Sequence, residues 1–247
     1  MILLMILSEN CYKNVRFYSD KIEGEGVKTC DDAFSAFLFY DRIVMKGIGQ
    51  KEGEQMKDQV QWDSFVHSCR NCERCELAKT RTNVVIGRGT NLSAPVMLVG
   101  EGPGQQEDLT GEAFVGRAGK QLDHLLNALM FDPEDYYICN IVKCRPPQNR
   151  VPLSEEAHAC LPWLRYQVKY IKPAILVCLG STALKYLVGD DVRITRIRGT
   201  WIDRPGFFRI MPTYHPSAVL RDPTKREEMF LDMKKVREYL QTLRQQP

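Results

Sequence analysis

The sequence predicts an α/β fold of three layers, α/β/α, around a central, mainly parallel four-stranded sheet. Short apolar runs alternate with longer amphipathic stretches, and this order places helices on both faces of a parallel sheet. One run, AILVCLG at 174–180, is apolar throughout, as in a strand buried on both faces. A length of 247 residues, 44% of them apolar, suits one α/β domain with a full core and room for an appendage.

Residues 1–55 form that appendage, because CDDAFSAFLFYDRIVMKGIG keeps no clean periodicity and nothing pairs with it. Lys51-Glu52-Gly53 can be encoded by a purine-rich string like a bacterial ribosome-binding site, so Met56 is an alternative start and 56–247 the expected domain. A cysteine-rich segment, VHSCRNCERCELAK, leads into an expected strand, TNVVIG, and then into PVMLVG. The loop GEGPGQQEDLTGEAFVG follows at 100–116, with five glycines and four acids. A helix is expected near Lys120–Met130, with Leu122, Leu125, Leu126 and Leu129 on one face. YYICNIV is strand-like, and CRPPQNRVP is too proline-rich for helix. Ser154 suits an N-cap, with Glu155 and Glu156 at the positive end of a helix ending before Pro173. Residues 199–212 alternate as a hairpin around Pro205-Gly206, and a final helix from Thr224 to Arg244 buries Phe230, Met233, Val236, Leu240 and Leu243.

Composition narrows the function class. A net charge of +3 and a pI near 8.3 are compatible with nucleic-acid binding without requiring it. The opening MILLMIL is too short to span a membrane and lacks a basic leader, so a reducing cytoplasm and no membrane are expected. Nine cysteines in such a compartment point to a metal site rather than disulfides. Cys72 and Cys75 are spaced as a ligand pair, and Cys144 and Cys160 can complete four thiolates. Cys69 forms a second possible pair with Cys72, and thiolates alone leave zinc open. Cys139 and Cys178 lie in apolar runs and read as core thiols.

The glycine loop looks like a phosphate cradle, yet its spacing fails both nucleotide motifs. Phe114 occupies the first glycine position of a P-loop and Gln121 its hydroxyl position, while Gln105 breaks the dinucleotide pattern. Four carboxylates would also repel a polyphosphate. They suit a reaction that builds positive charge, such as cleavage of a nucleoside's glycosidic bond through an oxocarbenium-like sugar.

Three segments, VGEGPGQQEDLTGEAFVGRAG, NIVKCRPPQNRVP and HPSAVLR, together with N-C-x2-C-x-L at Asn71–Leu77, resemble the motifs of family 4 uracil-DNA glycosylases. The resemblance runs from about Cys69 to the C-terminus. It implies a monomeric, monofunctional enzyme that excises uracil from single- or double-stranded DNA, and a [4Fe–4S] cluster on Cys72, Cys75, Cys144 and Cys160. It implies that Phe114 stacks on the flipped base, that Asn140 reads its N3–H and O4, and that His215 bonds O2. Glu101 would place water and offset the sugar cation, with Glu107 the alternative, and Gly102 and Pro103 would shape the pocket wall. Ser217 would grip a phosphate, while Val219, Leu220 and Arg221 would enter the minor groove. Lys143, Arg145, Arg150 and Arg221 would meet phosphates. The rival from another class is a non-turnover binder of uracil or abasic DNA. A covalently trapping branch of the superfamily carries a histidine-ended insertion after the asparagine motif, and CRPPQNRVP has none.

Overall fold

A computed structural model describes residues 51–204 and 208–245, with side chains from residue 60 onward. The predicted appendage, up to residue 50, and the Pro205-Gly206 turn lie outside the described residues.

The sheet has five strands rather than the expected four, in the order β2-β1-β3-β5-β4. β1 (Val96–Gly100), β2 (Tyr136–Asn140), β3 (Ile175–Leu179) and β5 (Phe208–Thr213) run parallel, and β4 (Ile202–Arg204) lies antiparallel on β5. The extra strand is the first arm of the predicted hairpin, only three residues long and half-exposed at the sheet edge.

TNVVIG does not join the ladder. Arg88 instead exchanges both backbone hydrogen bonds with Ile138, at 2.8 and 2.7 Å, as an isolated bridge. β2 is an edge strand, and this segment covers it, which removes an open row of backbone donors and acceptors.

Helices cover both faces. On one, Leu98, Ile138 and Val177 pack against Leu122 and Leu126 of α3 (Arg117–Ala128), Val219 of α7 (Pro216–Arg221), and Met233 and Val236 of α8 (Lys225–Gln245). The stripe of α8 is Met229, Met233, Val236 and Leu240, with Leu243 only partly buried; Phe230, expected inside, is exposed. Alternate strand residues point the other way. There the Tyr137 hydroxyl accepts from Gln167 Nε2 of α4 (Ser154–Ile171) at 3.3 Å. The α4 N-cap is Leu153, one residue before the expected Ser154, and Glu156 Oε2 accepts from Leu153 N–H at 2.8 Å.

Aromatic rings pin α1 (Lys51–Arg70) to α4. Trp62 lies 4.9 Å from Tyr170, and Phe65 stacks on Tyr166 at 4.6 Å. This packing brings the cysteines at the end of α1 against Cys160 on α4. The strand order reverses beside β1: the chain leaves it for β2 on one side, then returns to β3 on the other. Parallel sheets open a crevice at the carboxyl ends of such strands.

Candidate active site

Four segments leaving the carboxyl ends of the parallel strands build the site. Gly100 pairs with Asn140 across β1 and β2, and the ladder continues past the strand ends through Ile141 N–H to Gly100 O at 2.9 Å. The register therefore fixes Asn140 opposite Gly100, with Glu101 at the next position along the chain.

Gly100 is where ring and amide meet. A Cβ there would lie 2.5 Å from Asn140 Oδ1 and 2.6 Å from Phe114 Cζ. Phe114 is buried with a φ of 56°, a left-handed conformation that costs a non-glycine residue about 1–3 kcal/mol. Its carbonyl is seated over Gly119 of α3, where a Cβ would come within 1.7 Å of the Phe114 oxygen. The strained ring lies 5.7 Å from the His215 imidazole.

Asn140 is 1% exposed. Among the described residues, four buried side-chain polar atoms lack a hydrogen-bond partner; three are arginine Nε atoms and the fourth is Asn140 Oδ1. A buried, unpaired amide oxygen beside an aromatic ring is an acceptor awaiting a donor.

His215 caps α7. Its Nδ1 accepts from Ser217 N–H at 3.1 Å and lies 2.7 Å from Ser217 Oγ, which places the single proton of a neutral ring on Nε2. Burial, with the charge of Arg221 adding to it, pushes the ring pKa down from 6.5 to about 4. The imidazole is thus a neutral Nε2–H donor.

The carboxylates divide by environment. Glu107 is buried, and its oxygens accept from Gly116 N–H at 2.7 Å and Gly104 N–H at 3.1 Å, so it braces the two ends of α2 (Gln105–Thr110) and its loop. Asp108 likewise accepts from Thr82 N–H. Glu101 is half-buried, and its Oε2 accepts from Thr182 Oγ1 on α5 (Ser181–Leu187). Thr182 was not foreseen: its partner is 81 residues away, and only the fold brings them together. Gly102 makes room for Val142, whose Cγ2 would lie 2.7 Å from a Cβ, and Pro103 is buried beside it.

The α7 residues separate. Val219 is 1% exposed in the core, so it is not available to enter a groove, whereas Leu220 and Arg221 are exposed. Ser217 turns both its N–H and its hydroxyl toward His215. Lys143, expected at phosphates, is instead buried, and Arg150 is held by Glu156 at 2.6 Å.

Cys69, Cys72, Cys75, Cys144 and Cys160 line a partly open recess with Arg74, Arg81 and Trp163. Cys72 Sγ accepts from Trp163 Nε1 at 3.3 Å, Cys144 Sγ from Arg81 Nη1 at 3.6 Å, and Cys160 Sγ from Lys143 N–H at 3.3 Å. Ala78 N–H donates to the Cys75 carbonyl at 3.1 Å, which holds the turn that carries this thiol. Burial pushes Cys69 and Cys160 up to about 12 and Cys144 to about 11. For Cys69 the charge of Lys143 opposes that rise. Among the described residues no three Cys, His, Asp or Glu side chains converge on a point that a single ion could occupy. The same residues include no helix long and apolar enough to cross a membrane.

An aromatic ring, an unpaired buried amide oxygen and a neutral imidazole meet at the carboxyl ends of these parallel strands, an arrangement suited to a planar, hydrogen-bonding ligand. The profile of the Uracil DNA glycosylase superfamily matches residues 86–244. A "Type-4 uracil-DNA glycosylase" of Thermotoga maritima is 46% identical over 174 residues, 69% of this chain and 90% of its own length. Relatives of the same name from Archaeoglobus fulgidus and Saccharolobus solfataricus are 42% and 40% identical, over 71% and 72% of this chain and 92% and 86% of their own lengths. The chain belongs to the type-4 family of the uracil-DNA glycosylase superfamily.

Proposed function

We propose that this chain is a monofunctional uracil-DNA glycosylase that hydrolyses the bond between uracil and deoxyribose, releasing uracil and leaving an abasic site. The observation that carries this reading is the orphaned Asn140 Oδ1, set against Phe114 and within one site with His215. Uracil must leave the helix to be reached. Its ring then lies on Phe114, its N3–H donates to Asn140 Oδ1, and the amide's NH2 donates to O4. Cytosine has no N3 proton and carries an amino group in place of O4, so it would leave these buried groups unpaired.

As the C1′–N1 bond breaks, its electron pair departs with the base and spreads onto O2. The Nε2–H of His215 donates there, a contribution typically worth about 3–4 kcal/mol per donor. Glu101, held by Thr182, offsets the cationic sugar and orients the water that adds to C1′. Glu107 is the weaker candidate for that step, because both its oxygens already serve backbone N–H groups. Ser217 orients the imidazole, and Leu220 with Arg221 meets the DNA.

The cysteine recess fits a [4Fe–4S] cluster on Cys72, Cys75, Cys144 and Cys160. Three of these sulfurs, on Cys72, Cys144 and Cys160, accept N–H bonds, as metal-bound thiolates do, and a zinc ion would need all four sulfurs about 2.3 Å from one point. The cluster would tie the ends of α1, α4 and the loop after β2 together. The working unit is a monomer acting on DNA in the cytoplasm.

The test is excision from single- and double-stranded oligonucleotides carrying one uracil, with products heated in SDS. Free uracil released over many turnovers supports the enzyme; a heat-stable protein–DNA adduct, or binding without release, rejects it.

A further inference from the structure

Lys143 is the one buried basic residue among those described, at 1% exposure. Its ammonium has three protons to donate and two acceptors within hydrogen-bond distance. Nζ lies 2.8 Å from Asn140 O and 2.5 Å from Gln167 Oε1. Neither is a carboxylate, so the cost of burying this charge is not met by an ordinary ion pair. Gln167 is itself fixed by Ile86 O at 2.9 Å.

The same residue touches both centres. Its main-chain N–H donates to Cys160 Sγ at 3.3 Å, and its side chain holds the carbonyl of the residue whose amide reaches into the base pocket. Thiolate ligation leaves an iron–sulfur site net negative, and Lys143 faces Cys69 and Cys160 with its charge.

We infer that Lys143 is a positioning residue that joins the metal recess to the base reader: its buried ammonium balances the charge of the ligated cysteines while its hydrogen bond to Asn140 O locks the strand end that projects the reading amide. This rests on the proposed readings of the recess and of Asn140.

The experiment compares wild type with Lys143→Met, which keeps the stem and removes the charge and its donors. Iron content and visible absorbance establish that the cluster is retained. Loss of a nearby cation should then move the cluster's midpoint potential to a more negative value. Inhibition by free uracil and KM for a uracil oligonucleotide should each weaken about tenfold, the equivalent of one lost hydrogen bond, with kcat changed much less. A merely structural lysine would lower the melting temperature and leave the potential where it was. Gln167→Glu serves if Lys143→Met fails to fold: it retains the lysine, adds a negative charge beside it, and should also lower the potential. Iron-loaded variants with wild-type potential and wild-type KM overturn the inference alone. Wild-type protein purified anaerobically without iron overturns the cluster reading, and the inference with it.

Discussion

Replacing Asn140 with leucine should preserve or raise stability while slowing excision by orders of magnitude. In the free protein Asn140 Oδ1 is buried without a partner, a state that costs about 1–3 kcal/mol. Leucine is close in volume and has no polar atom to leave unpaired. The variant should therefore unfold at the wild-type midpoint or above it, and a gain of about 1 kcal/mol corresponds to roughly 2–4 °C in a domain of this size. Catalysis moves the opposite way. Uracil's N3–H and O4 would enter an apolar slot without partners, at about 1–3 kcal/mol each. The barrier then rises by about 2–6 kcal/mol, a loss of roughly thirtyfold to ten-thousandfold at 1.36 kcal/mol per decade. Urea denaturation and single-turnover excision on the same preparation read both quantities. A variant that is destabilised yet excises uracil at the wild-type rate would show that Asn140 is a core residue and not the base reader.

Three more expectations follow from the same geometry. Thr182→Val removes the hydroxyl that holds Glu101 and should lower kcat about tenfold, with Thr182→Ser restoring it; equal rates in all three proteins would remove Glu101 from the water-placing role. His215 has its pKa pushed down to about 4 from an ordinary 6.5. Below pH 6.5 the unfolded chain takes a proton that the folded one refuses, so this residue's contribution to stability is full above 6.5 and is lost as pH falls toward 4. Excision should accordingly show no inflection near 6.5 that vanishes in His215→Gln. Cys75→Ser should lose iron while Cys69→Ser keeps it, because Cys72 and Cys75 are the pair in the N-C-x2-C-x-L spacing that resembles the family's ligand motif; iron assays showing the reverse would exchange their places as ligands.

Much of the fold was legible because its signals are local. β1 and β3 are runs of five fully buried residues, and AILVCLG announces such a strand by composition. α3 carries its apolar face at the expected leucines. The misread elements are those whose state depends on a distant partner. TNVVIG has strand composition, and Val84, Val85 and Ile86 are indeed buried, but it forms no ladder: Val85 N–H reaches Lys143 O, and the following Arg88 makes an isolated bridge to Ile138 of β2. The stripe of α8 is shifted by one residue at its start because Met229 and Phe230 are adjacent and equally apolar, so periodicity alone does not choose between them. At the site, Phe114, Asn140 and His215 were marked by their motifs. Thr182 carried no signal at all. Lys143 and Val219 were misplaced for one reason: a cation is expected in water and an apolar residue on a DNA-facing loop reads as a wedge, whereas burial inverted both.

The site is also where this otherwise consistent fold departs from its own rules, and the departures share a direction. Phe114 holds a left-handed backbone, Asn140 keeps a buried oxygen unpaired, and His215 is held neutral by burial beside a positive charge. Each is unfavourable in the free protein, although the Phe114 ring itself packs in the core. On the proposed reading, a flat base carrying an N–H, and gathering negative charge on O2 as it leaves, would meet each condition in turn. It would cover the ring, supply the missing donor, and draw on a proton already placed at Nε2. Strain and unpaired groups scattered at random would not be answered by one ligand, and a core selected only for stability would replace Asn140 with leucine. That such costs gather at the carboxyl edge of one sheet, around Gly100, argues that the fold is arranged to bind the departing base more strongly than it binds water.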